Sequence, residues 1–256
     1  MIDTYRIGLH LARLVEEGLS PRSPRWPVPP PTVVSVHIPK TAGTTFRVYL
    51  RRIYGRRLHC DYGADNPLTS AFVRDHFYRA EAAQAKSSFD EASRSGVIGC
   101  IHGHFPAAKY YPLLPEASYI CWVRDPAERI LSQYYYQRRS LDPGNWINKL
   151  VYDGDIDLAD YAALEANRNL QARLLDGVPD RAVRFIGICD RFDQSLVVLN
   201  RALGLPAPGR GPRMRKVNRR KPGNLSPELR ARIMELNTRD AELYRRACER
   251  LDASVP

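Results

Sequence analysis

Lys40, Thr41, Gly43, Thr44 and Thr45 stand within six residues, between an apolar run and a helical one. That grouping suits the holding of a multiply charged oxyanion. The first N–H groups of a helix have no intrahelical partner, and the helix dipole adds positive potential there. Gly43 lacks a Cβ, so the backbone there is free to approach an oxygen closely or to take a positive φ. The threonines add hydroxyl donors and Lys40 a mobile cation. Two other apolar runs also end in chemically capable groups: His102 and His104 after one, Arg124 after the other.

The turn Pro39-Lys40-Thr41-Ala42-Gly43-Thr44-Thr45 departs from the nucleotide-hydrolysing pattern GxxxxGK[ST], because its lysine precedes the glycine by three residues. No Ser or Thr follows a Gly-Lys pair to hold magnesium, so the expected reaction needs no metal. The histidine pair by itself fits core or loop histidines, or two ligands of a zinc ion. No third and fourth ligand stands at a convincing spacing, and zinc is rejected.

These groups need a scaffold that brings strand ends together. Val33–Ile38, Val97–Phe105, Ser118–Val123 and Ala182–Ile188 read as buried strands. Helical stretches are expected at 46–54, 68–92, from Pro126 onward, at 157–177 in two pieces, and at 190–203. Ser226 and Pro227 open a final helix as N-cap and first residue. Alternating strands and helices predict an α/β fold, a P-loop NTPase-like three-layer sandwich with a mainly parallel central sheet, whose ligands bind beyond the carboxyl ends of the strands. Residues 1–31, a short amphipathic helix and a proline-rich connector, read as an appendage to a domain at 32–256.

IPKTAGTTF resembles the 5'-phosphosulfate loop of sulfotransferases that use 3'-phosphoadenosine 5'-phosphosulfate (PAPS), in particular the carbohydrate branch that includes heparan sulfate 2-O-sulfotransferase and bacterial relatives. SYICWV-RDPAERILSQYYY resembles the family's 3'-phosphate element, and IHGHF the segment that carries a catalytic histidine. The resemblance runs from Val33 to about Leu251. It implies that Pro39 to Thr45 hold the phosphosulfate and that Lys40 stabilises the departing 5'-phosphate. It also implies that Arg124 and Ser132 grip the 3'-phosphate. His104 would be the base, with His102 as its partner, and PAP (the desulfated product) would be released. Arg219, Arg220 and Lys221, in a late basic loop, would fold over the donor or receive an anionic acceptor. Tyr134 to Tyr136 are expected to pack their helix, with one open to the acceptor; Asn169, Gln171 and Arg173 either line the cleft or serve as caps. The acceptor hydroxyl is expected on a carbohydrate or a glycosylated small molecule. A small-molecule kinase and a non-catalytic nucleotide-binding protein are the alternatives.

Composition agrees with an anionic ligand. The 39 Lys+Arg against 28 Asp+Glu leave a net charge of +11, while no nucleic-acid-binding motif is present. Five cysteines without a CxxC pair argue against a disulfide framework and are read as reduced, with Cys100, Cys121 and Cys189 in the core. No run of about 18 apolar residues predicts a membrane span, and no signal-peptide pattern opens the chain, so a cytoplasmic location is expected. A homodimer is left open.

Overall fold

A computed structural model describes residues 31–142, 144–205 and 225–254. The expected N-terminal helix, its connector up to Pro30, and Arg219, Arg220 and Lys221 lie outside the described residues.

Five strands form one sheet: β1 Val33–Val36, β2 Leu58–Asp61, β3 Cys100–Gly103, β4 Ser118–Val123 and β5 Val183–Ile188. Their order is β2-β3-β1-β4-β5 and every pairing is parallel. The helices are α1 Gly43–Tyr54, α2 Ala71–Val73, α3 Ala82–Arg94, α4 Pro126–Gln137, α5 Trp146–Asp153, α6 Leu158–Ala163, α7 Leu170–Arg173, α8 Phe192–Leu203, α9 Pro227–Leu236 and α10 Thr238–Ser254. A parallel sheet needs cover on both faces, and its strands are accordingly near-continuous apolar runs: every residue of VVSV and of SYICWV is buried. On one face Phe46, Tyr49, Leu50 and Ile53 of α1 pack with Leu196 and Leu199 of α8 against Val33, Cys100, Ile120 and Trp122. On the other, Phe89 of α3 with Ala247 and Leu251 of α10 cover Val34, Val36, Ile101, Tyr119 and Cys121. The expected three-layer α/β sandwich is what the chain forms.

β1 lies at the centre, with β3 on one side and β4 on the other. The chain leaves β1 toward β2 and leaves β4 toward β5, so the connections part between β1 and β4. A ligand crevice belongs at such a point.

Several elements differ from expectation. β2 was not anticipated, because LHCD is only four residues and carries two polar side chains. β1 ends at Val36 and β3 spans only Cys100–Gly103, so His37, Ile38 and His104 stand beyond their strands. The single helix expected at 68–92 is broken: α2 runs into a π-helical turn at Arg74–Tyr78, and α3 starts anew at Ala82. Tyr78, at the end of that turn, donates to Asp61 Oδ1 (2.8 Å), a tertiary bond that local propensity cannot foresee. The final helix is split at Asn237, whose side chain bonds to the Asn169 N–H (2.8 Å) and the Ile233 carbonyl (2.8 Å). The expected caps are present: Asp125 accepts from the Glu128 N–H (3.0 Å) and Ser226 from the Leu229 N–H (3.2 Å).

Candidate active site

The turn after β1 is strained where the chemistry is expected. Lys40 and Ala42 both have φ of 70°, in the left-handed region that costs a side-chain-bearing residue about 1 kcal/mol or more. Thr41 is buried and its hydroxyl donates to the Ile38 carbonyl (2.8 Å), which closes the turn. That hydroxyl is therefore used internally, and Thr44 is the exposed one. Ala42 is the N-cap of α1 and makes no side-chain capping bond, so no cap side chain takes up the first N–H groups of the helix. Gly43 does not supply a positive φ. It supplies space: a Cβ there would fall 1.7 Å from His37 Nε2, so the His37 ring occupies the volume of the missing side chain.

Cations from two adjacent strands meet above this turn. Lys40 Nζ lies 4.1 Å from the centroid of the Tyr136 ring on α4. Burial, foremost, together with the neighbouring charges of Arg124 and Arg139, lowers the Lys40 ammonium to a pKa of about 8. Lys40 and Arg124 thus act on one space. The Arg124 backbone is held by a buried amide: its N–H donates to Gln171 Oε1 (2.9 Å) and its carbonyl accepts from Gln171 Nε2 (2.9 Å). The Arg124 guanidinium reaches Glu128 (3.3 Å) and Asp190 (4.0 Å). Ser132 is buried two turns along α4, with no hydrogen bond to Arg124. The structure therefore brings Lys40 and Arg124 within electrostatic reach of each other, while Ser132 is joined to Arg124 by no direct bond.

At the carboxyl ends of β1 and β3 three imidazoles form a cluster, with His102 inside β3 and His37 and His104 just past their strands. Strand alternation puts Ser35 and His37 on the same side of β1, and Ser35 is the register partner of His102. Ser35 Oγ bonds to His102 Nδ1 (2.9 Å). His37 stacks on His102 at 5.0 Å between centroids and meets His104 edge-to-face at 4.2 Å. Its Nδ1 bonds to the Tyr62 hydroxyl (3.2 Å), and the Tyr62 ring lies 4.9 Å from that of His104. Burial lowers the pKa of all three; the Arg47 guanidinium of α1 lowers each further, and the rings repel one another's charge. His104 is lowered to about 4, although its ring is solvent-exposed. It stands at the surface, with protein on one side and an open side toward solvent. Water on that open side offsets part of the burial, so the downward direction is what matters: His104 is neutral at pH 7.

His37, Tyr62 and Arg47 were not anticipated from sequence, and neither was the hold of Gln171 on Arg124. His37 was hidden because VVSVHI reads as one strand; its signal was the polar alternation Ser35, His37. Asn169 and Gln171 prove to be structural: the Asn169 carbonyl oxygen of the side chain accepts from the Arg239 N–H (2.9 Å), and Gln171 is fully buried. Of the three tyrosines, Tyr134 is buried, Tyr135 packs partly buried against the same cluster, and Tyr136 is exposed beneath Lys40. A groove of about 630 Å³ along α10, lined by Met234, Ala241, Tyr244 and Cys248, contains none of these residues.

A helix start with no side-chain cap after the central strand, with Lys40 before it, Arg124 after the next strand and imidazoles at the ends of β1 and β3, is an arrangement suited to group transfer from an anionic donor. The chain belongs to the sulfotransferase family, whose sequence model matches residues 28–169. No curated protein matches the sequence. Among solved structures, mouse sulfotransferase SULT7A1 complexed with PAP is similar at 14% identity and a TM-score of 0.50, over 98% of this chain and 95% of that one. A sulfotransferase from Alicyclobacillus acidocaldarius is similar at 15% identity and a TM-score of 0.46, over 86% of this chain and 96% of that one. The likeness to the mouse protein is one of fold.

Proposed function

We propose that this chain transfers a sulfuryl group from PAPS to an acceptor hydroxyl on a carbohydrate or glycosylated small molecule. The supporting observation is that Lys40, after β1, and Arg124, after β4, act on one space beside the open N-terminus of α1. Sulfuryl transfer, like phosphoryl transfer, asks the protein for positioning and charge stabilisation. The N–H groups from Gly43 to Thr45 and the Thr44 hydroxyl would hold the phosphosulfate. Arg124, with Ser132, would receive the 3'-phosphate after release from Glu128. Lys40 would leave the Tyr136 ring and stabilise charge on the bridging oxygen as the S–O bond to the 5'-phosphate breaks. His104 would take the acceptor's proton as the new O–S bond forms, a contribution on the order of 10²–10⁴-fold. His102, itself held by Ser35 Oγ (2.9 Å), would be the supporting partner of the pair. Arg219, Arg220 and Lys221 would complete the donor site. PAP would leave.

The test is stabilisation by PAP compared with ATP and AMP, followed by thermal shift. The expected result is a clear preference for PAP, because it alone among the three presents a 3'-phosphate to Arg124. Equal response to ATP and PAP would remove the donor assignment. Lys40→Ala and His104→Ala are each expected to abolish transfer while retaining the wild-type melting temperature within a few degrees; wild-type turnover in His104→Ala would remove it as the base.

A further inference from the structure

The cluster at the ends of β1 and β3 holds one histidine with no place in that scheme. His37 touches both halves of the reaction site. On one side its Nε2 edge fills the volume beside Gly43, the residue that opens the anion-binding helix. On the other, its ring meets His104 at 4.2 Å in an edge-to-face contact. Tyr62, from the segment after β2, fixes the third side through His37 Nδ1 (3.2 Å). An imidazole held at three points is a rigid spacer between a loop and a base.

We infer that His37 is a positioning residue of sulfuryl transfer: seated where Gly43 has no side chain and anchored by Tyr62, it sets the place of the His104 ring relative to the donor loop. The inference rests on the reading of His104 as base. It explains why residue 43 is glycine although its φ is not positive. It also explains why a polar side chain follows a strand that otherwise buries every residue. The charged and titratable groups facing His37 are His102 and His104 from the β3 side, Arg47 of α1 and Lys40 of the loop, with the Tyr62 phenol after β2. Burial together with these neighbours keeps the His37 imidazole neutral at pH 7, so its role is geometric and not that of a charge.

Two measurements on the full chain separate this inference from the reading beneath it. Calorimetric titration of PAP into the wild type tests the donor site; no binding there overturns the PAPS reading and leaves His37 to be judged by the second measurement. That second measurement follows the His104 Cε1–H by NMR against pH, with the resonance assigned by its loss in His104→Gln. The wild-type midpoint is expected well below 6.5. His37→Ala opens the space to water and is expected to raise that midpoint by about one unit or more, whereas His37→Phe, which keeps the ring volume, leaves it low. An unmoved midpoint in His37→Ala overturns the proposal. Turnover is then followed as PAP released from PAPS with a desulfated heparan oligosaccharide. His37→Phe is expected to lower kcat roughly 10- to 100-fold while the KM for PAPS stays within about twofold. His37→Asn, whose amide reaches the position of Nδ1, recovers part of the loss. Tyr62→Phe adds nothing to His37→Phe, because the two share one bond. Wild-type kcat in His37→Phe contradicts the proposal equally.

Discussion

In the proposed reaction Lys40 carries the largest demand on a single side chain, and its ionisation is measurable. Burial and the charges of Arg124 and Arg139 bring it to about 8, so the empty site loses this proton at mildly alkaline pH. An anionic donor stabilises the ammonium, and binding above pH 8 therefore takes up a proton. PAP affinity is expected to be level between pH 6 and 7 and to weaken above 8 by at most about tenfold per unit, the limit for one proton. Lys40→Ala flattens that dependence. Calorimetry in two buffers of different ionisation heat counts the proton directly. As the proposed base, His104 would work in the opposite direction, since a base acts when neutral and is lost as pH falls through its pKa. Its lowered value puts the acid limb of kcat/KM well below pH 6.5, and the negative donor moves the kcat limb upward from there.

At the scale of elements, the site depends on two fits between a strand end and a neighbouring helix. The first joins β1 to α1 through the His37 ring and Gly43. Gly43→Ala drives a methyl into that ring, with no flexible chain end to yield, and is expected to lower both stability and PAP affinity. Adding His37→Ala removes the obstacle, so the double variant recovers stability relative to Gly43→Ala alone. Thermal denaturation of the three proteins checks this, and simple additivity contradicts the packing. The second fit joins β4 to α7 through Gln171, which satisfies both backbone groups of Arg124. Gln171→Met leaves a buried N–H and a carbonyl without partners, at a cost of about 1–3 kcal/mol for each group. Its effect on the donor site is expected to exceed that of a comparable core substitution, because the released segment carries Arg124. Urea denaturation and PAP titration on the same variant measure the two losses.

For the whole molecule, the buried imidazoles couple stability to pH. His37 and His102 have folded-state pKa values well below 6.5, so the unfolded chain binds more protons than the native one as acid is added. The stability contributed by their neutral state is present above pH 6.5 and is lost as pH falls from there toward the folded values. The fully buried His102 gives a slope of up to about 1.4 kcal/mol per unit, and the half-buried His37 a smaller one. The net charge of +11 rises further over the same interval and adds self-repulsion. The melting temperature is therefore expected to drop between pH 7 and pH 5, with a shallower slope in His102→Gln. A flat profile would mean that these rings are solvated in the native state.

The α/β class, the strand-to-helix turn at Pro39 to Thr45 and the strand-end arginine Arg124 were readable in the amino-acid sequence by itself. Each rests on local physics: apolar runs that must be buried, a helix start with unpaired N–H groups, a proline and an aspartate that open α4. What the tertiary structure decided is how groups distant in sequence share one space. Only the order β2-β3-β1-β4-β5 puts the Arg124 and histidine strands on opposite sides of β1. Only parallel register puts Ser35 beside His102, and so His37 beside His104. The short strand β2, the π turn that delivers Tyr78 to Asp61, and the amide clamp of Gln171 on Arg124 escaped local reading for the same reason. Their stabilising partners are dozens of residues away, and neither propensity nor periodicity within a window senses a contact that chain folding alone creates.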